Sequence, residues 1–111
     1  MTQQTTTDRA TLLRAAIADI DPRHAALPRI GADANGSWIA SHDRHRAAAE
    51  ELLRHIRRQH GAKARVGLTD PSRLQLHGIT VTSVRGLSVL IDAWLTKARD
   101  QLKLLEPTRL R

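Results

Sequence analysis

The segment Gly78 to Leu105, GITVTSVRGLSVLIDAWLTKARDQLKLL, constrains the fold more than any other part of this chain. It opens with a short β-branched strand, turns at Thr82-Ser83 and continues as one amphipathic helix. Val84, Leu87, Leu90, Ile91, Trp94, Leu95, Ala98, Leu102 and Leu105 fall within one arc of about 140° at 100° per residue. Arg85, Asp92, Thr96, Arg99 and Lys103 take the opposite side. Such a seam has to be buried, either on the rest of the chain or on a second copy. Leu87, Ile91, Trp94, Ala98, Leu102 and Leu105 are therefore the candidate core or dimer contact.

Upstream, Leu13, Ala16, Ile17 and Ile20 follow helical spacing behind a cap at Thr7 or Asp8, and Asp21-Pro22 should end that helix. Residues 1–7 read as a disordered, threonine-rich tail. Pro22 to Ala40 loses all periodicity. Asn35-Gly36 is a strong turn dipeptide that either a small hairpin or an irregular loop plugged by Trp38 accommodates. Asp33, Asn35 and Ser37 alternate as in a calcium loop, but the bidentate acid and the loop length are missing.

A second helix runs from a cap at Ser41 or Asp43 to His60 and stops at Gly61. Ala48, Ala49, Leu52 and Ile56 form its apolar side, with His42, His45 and His60 on the same side; Arg46, Arg54, Arg57 and Arg58 form the other. Ala64, Val66 and Leu68 then alternate as a half-buried strand. A Thr69-Asp70-Pro71-Ser72 turn leads to a partner strand with Leu74 and Leu76 facing inward. The apolar phase shifts between Leu76 and Ile79, so a bulge or bend is expected at Gly78. Pro107 ends the last helix, and 107–111 is a basic tail. The whole reads as α+β: one domain over 8–106, with two amphipathic helices and a long C-terminal helix on one side of a small antiparallel sheet of two to three strands.

Charge and composition narrow the function. The net charge is +7, and 15 of the 18 basic residues are Arg. Residues 1–40 balance to zero, whereas residues 41–65 hold seven basic and three acidic groups. A basic second half attracts polyanions, either nucleic acid or an acidic protein surface. No apolar run reaches the ~18 residues of a membrane span, and no secretory signal opens the chain, so a cytoplasmic setting is expected, that of the host cell if the protein is phage-encoded. With no cysteine, disulfides and thiolate metal sites are excluded.

Six histidines raise metal or nuclease chemistry, above all His42-x-x-His45 and the pair His55 and His60. Zinc needs three or four ligands, no Cys is available, and no Glu or Asp is well placed beside the His42-x-x-His45 pair. His45 and His60 are expected at the core margin, His55 in solvent, and neither metal nor cofactor is expected. No Gly-x-Ser-x-Gly elbow or phosphate loop is present, and no acidic residue sits in an apolar setting that would tune it for proton transfer. The chain reads as a non-enzyme.

The arginine stripe is the candidate binding surface: Arg46, Arg54, Arg57 and Arg58, extended by Lys63 and Arg65. It suits phosphate contacts of low sequence preference. With no Phe or Tyr, only Trp38 is available to stack on a base. The run Gly78-Ile79-Thr80-Val81-Thr82-Ser83, then Gly86, Trp94-Leu95 and Ala98-Arg99, resembles a C-terminal signature of small uncharacterised phage and prophage proteins. Many of those repeat Thr-Ser where this chain has Val84-Arg85. The resemblance covers the last third of the chain and implies a mobile-element origin. It brings no catalytic residues. Two functions follow as expectations: a non-catalytic nucleic-acid-binding module, or an inhibitor that binds a host protein, such as a defence complex. A small histidine-dependent nuclease is a distant third. Short exposed sheet edges and the long seam also predict a homodimer.

Overall fold

The computed structural model describes residues 2–28, 38–67 and 70–105. The elements run α1 (Thr2–Ala25), α2 (Trp38–His60), β1 (Lys63–Arg65), β2 (Ser72–Leu76), β3 (Ile79–Ser83) and α3 (Leu87–Leu105). The three strands form one antiparallel sheet in the order β1-β2-β3. The class is α+β, with all three helices gathered over one sheet face around α3.

α3 is the centre of the packing and touches α1, α2, β2 and β3. Leu87, Leu90, Ile91, Trp94, Leu95 and Ala98 are all buried within the single chain. Leu102 and Leu105 pack at the margin of the same core. Burying a Leu or Ile side chain contributes about 1.5–3 kcal/mol, so this seam carries a large share of the fold. Trp94 also donates its indole N–H to the Leu76 carbonyl at 3.1 Å, which leaves no orphan polar atom on the largest core side chain.

Val84 does not belong to that seam. It is 77% exposed, and the helix begins three residues later at Leu87. Two local features hold it out. Ser83 Oγ accepts the Arg85 amide at 3.0 Å, forming a side-chain turn. Gly86 adopts φ +115°, which a residue with a Cβ rarely reaches, and its carbonyl accepts the Leu90 amide as the first helical bond. Thr82 and Ser83, the expected caps, are instead the end of β3.

α1 is longer than expected at both ends: residues 2–7, read as a tail, are helical, and the helix runs through Pro22. Proline loses its own amide bond and crowds the carbonyl four residues back, yet the ladder resumes beyond it, with Ala26 N–H donating to the Pro22 carbonyl at 3.1 Å. Leu13, Ala16 and Ile20 seal its inner side completely.

α2 begins at Trp38, before either expected cap, and Ser41 is a buried interior residue whose hydroxyl donates to the Trp38 carbonyl at 2.9 Å. Trp38 and Ile39 are therefore helical and exposed, not strand residues or a plug, and Trp38 stacks on His42 with ring centroids 5.2 Å apart. Asn35-Gly36, the calcium-like alternation, Leu68-Thr69 and the C-terminal tail lie outside the described residues.

Gly78 makes a tight hairpin, not a bulge. Leu76 pairs with Ile79, leaving His77 at φ +50° and Gly78 at φ +81° as a two-residue turn. Two successive positive φ values are the mark of the type I′ turn, whose twist matches that of the strands it joins. The turn also explains the phase shift, since β2 and β3 are separate strands with Leu74 opposite Val81 and both facing α3.

Candidate nucleic-acid interface

The sheet has two unlike faces because residues alternate along each strand. Ala64, Ser72, Leu74, Leu76, Ile79 and Val81 face the helices. Lys63, Arg65, Arg73, Gln75, Thr80 and Thr82 face away. The outward set holds three cations and no acid. Register places Arg65 directly opposite Arg73 and Lys63 opposite Gln75. Like charges directly opposite on neighbouring strands destabilise a sheet, so this pairing works against the fold.

Arg57 and Arg58 sit in the last turn of α2, where the helix dipole favours cations. Gly61 at φ +73° then stops the helix, its amide bonded to the Arg57 carbonyl at 3.1 Å, and β1 starts two residues on. Arg54, Arg57 and Arg58 line a shallow groove with Ala62, and a separate depression is lined by Lys63, Ala64, Arg65, Arg73 and Gln75. The expected residues divide between these two depressions, with Arg54, Arg57 and Arg58 at the end of α2 and Lys63 and Arg65 on the outer sheet face. Among the described residues Arg57, Lys63, Arg65 and Arg73 form no salt bridge.

Two members of the expected stripe differ. Arg54 donates to Glu51 at 2.7 Å, and that hydrogen bond holds the Glu51 carboxyl below its ordinary range while raising the guanidinium. Its charge is already answered on the protein. Arg46 lies about three turns from Arg57, pairs loosely with Asp43 at 3.6 Å, and lines a different groove of about 420 Å³ with Arg85 and Ser88. Arg73 is the addition that sequence reasoning missed. Its alternation with Leu74 was visible, but its place beside Arg65 depends on the strand register.

The histidines are resolved one by one. His45 donates to the Pro28 carbonyl at 2.6 Å, and His24 to the Ser88 carbonyl at 2.9 Å, tying α1 to the start of α3. His55 and His60 meet on α1: both Nε2 atoms approach the same Asp19 oxygen, Oδ2, at 2.8 and 2.7 Å. Arg23 Nε donates to the other oxygen at 2.9 Å. Burial raises the Asp19 carboxyl, but the hydrogen bonds from Arg23, His60 and His55 outweigh it and hold the group well below the ordinary range. Asp19 is therefore a carboxylate, and both rings present N–H to it. The expectation that His55 is exposed is overturned: its side chain is 18% exposed and rests on Asp19. The ring of His77 packs edge-on to His60 at 6.3 Å, and its own Nε2 is buried without a hydrogen-bond partner.

Compared with protein-family models, curated proteins and solved structures, the chain matches none. No helix among the described residues is long and apolar enough to cross a membrane.

Proposed function

We propose that this protein binds duplex nucleic acid without catalysis, contacting the phosphate backbone through Arg57, Arg58, Lys63, Arg65 and Arg73. The observation that carries the reading is the outer sheet face, where Arg65 opposes Arg73 and no strand position carries an acid. A surface that sets like charges side by side is relieved when phosphates lie across it, and release of condensed counterions then drives association. The face carries Thr and Gln but no aromatic ring, so it suits the backbone of a duplex better than unstacked bases. From the resemblance of its C-terminal segment to small phage and prophage proteins we further propose a mobile-element origin and a cytoplasmic setting.

Fluorescence anisotropy with labelled duplex DNA, duplex RNA and single-stranded DNA at two salt concentrations tests this. Duplex affinity is expected to fall with added salt, with a log–log slope of about −0.9 for each phosphate contacted. Changing Arg57, Arg58, Arg65 and Arg73 together to Gln should abolish binding and leave the circular dichroism spectrum unchanged. A folded protein that ignores every nucleic acid at low salt sinks the proposal, and an acidic host-protein surface becomes the partner to seek.

A further inference from the structure

We propose that Asp19, His55 and His60 form a binding site for a divalent transition metal of the zinc class. This inference is independent of the nucleic-acid reading and uses none of its residues. Three potential ligand atoms, one carboxylate oxygen and two imidazole nitrogens, lie within 4.8 Å of one another. Tetrahedral zinc with bonds of about 2.0–2.1 Å holds its ligand atoms roughly 3.3 Å apart. The separations of 2.7 and 2.8 Å from Asp19 Oδ2 fall about half an ångström short of that spacing, and the two ring nitrogens lie within 4.8 Å of each other.

The site is built from two helices. His55 and His60 are five residues apart, which on a regular helix puts them about 140° from each other. His60 is the last residue of α2, and its ring still reaches the same Asp19 oxygen as that of His55. Arg23 bonds Oδ1 and leaves Oδ2 turned toward the two rings, the outer-shell orientation that ligating carboxylates usually receive. The His77 ring packs edge-on to His60 at 6.3 Å. Two nitrogen donors to one oxygen select zinc, cobalt or nickel over calcium and magnesium, which prefer all-oxygen shells.

Three protein ligands leave one tetrahedral position for water. The three side chains retain 15–28% exposure, so solvent can occupy it. On binding, the ion replaces the Nε2 hydrogens of both rings, whose protons then sit on Nδ1. That exchange of tautomer is a spectroscopic signature that a purely hydrogen-bonded cluster lacks.

The test uses the untagged full chain, stripped with a chelator and titrated with zinc chloride by calorimetry, and with cobalt chloride by visible absorption. One ion per chain is expected, with the intense d–d bands of tetrahedral cobalt and a shift of the His55 and His60 ring nitrogens in ¹⁵N NMR. His55→Gln and His60→Gln should each weaken zinc binding at least tenfold. His45→Gln, whose ring bonds the Pro28 carbonyl, should leave it unchanged. Absence of saturable zinc binding to folded wild-type protein overturns the proposal. So does binding that survives both His55→Gln and His60→Gln. Should either variant unfold, the wild-type NMR shift decides alone: zinc that leaves both rings in their original tautomer refutes the site.

Discussion

The two faces of the three-stranded sheet share a backbone and almost nothing else. On the inner face Leu74, Leu76, Ile79 and Val81 are closed over by α3 and Trp94. On the outer face Lys63, Arg65 and Arg73 stand in solvent with Gln75 and two threonines. Strand alternation separates the faces residue by residue, so the cost of setting Arg65 opposite Arg73 is offset by apolar burial one position away. Stability and binding are thereby assigned to different side chains of the same strands, and each can be altered with little effect on the other.

The strongest way to break that division is from inside. Trp94→Ala should lower unfolding free energy by about 3–5 kcal/mol, the usual range for an emptied aromatic site, read from urea denaturation; a loss under 1 kcal/mol would mean that the inner face does not carry the fold. Next comes the joint between the strands. Gly78→Ala should cost about 1–2 kcal/mol, because φ +81° crowds a Cβ against the backbone, and the new methyl would also press on the Arg9 guanidinium at 3.3 Å.

A smaller effect concerns acid. Burial lowers the His77 pKa, and the charges of His60 and Arg9 lower it further. A histidine depressed in the folded state binds its proton more readily when unfolded. Its contribution is therefore complete above about pH 6.5 and is lost as pH falls toward the folded pKa. Asp19, also depressed, adds a second loss below about pH 3.9. In chelator-treated protein the melting temperature should decline between pH 7 and pH 5. His77→Asn, which retains a residue suited to positive φ, should flatten that decline; an unchanged slope would assign it to other groups. Smallest of all on stability should be Arg65→Gln with Arg73→Gln, within about 0.5 kcal/mol at each site and on the stabilising side if like-charge repulsion is relieved. Loss of several kcal/mol there would show that the two faces are not independent.

What could be read from the sequence follows the same division. The inner seam of α3 was legible from Leu87 to Leu105 because burial imposes a period that composition cannot hide. Val84 continued that period by chance, and only Ser83 and Gly86 reveal that the helix had not yet begun. The outer face was half legible: Lys63 and Arg65 stood out beside the α2 arginines, whereas Arg73 needed the register. The Asp19 cluster was not legible at all. It joins residues 36 and 41 positions apart, across two helices.

The early position of α1 in the chain matters during synthesis. Its inner residues Leu13, Ala16 and Ile20 find their cover largely in α3, and the bond from His24 to Ser88 spans 64 residues. At about 5–20 residues per second, a ribosome takes roughly 3–13 s to make that intervening chain. The β2–β3 hairpin, closed by two residues, pairs within microseconds of emerging. For those seconds α1 presents an uncovered apolar stripe, and a holdase chaperone has its longest opportunity there.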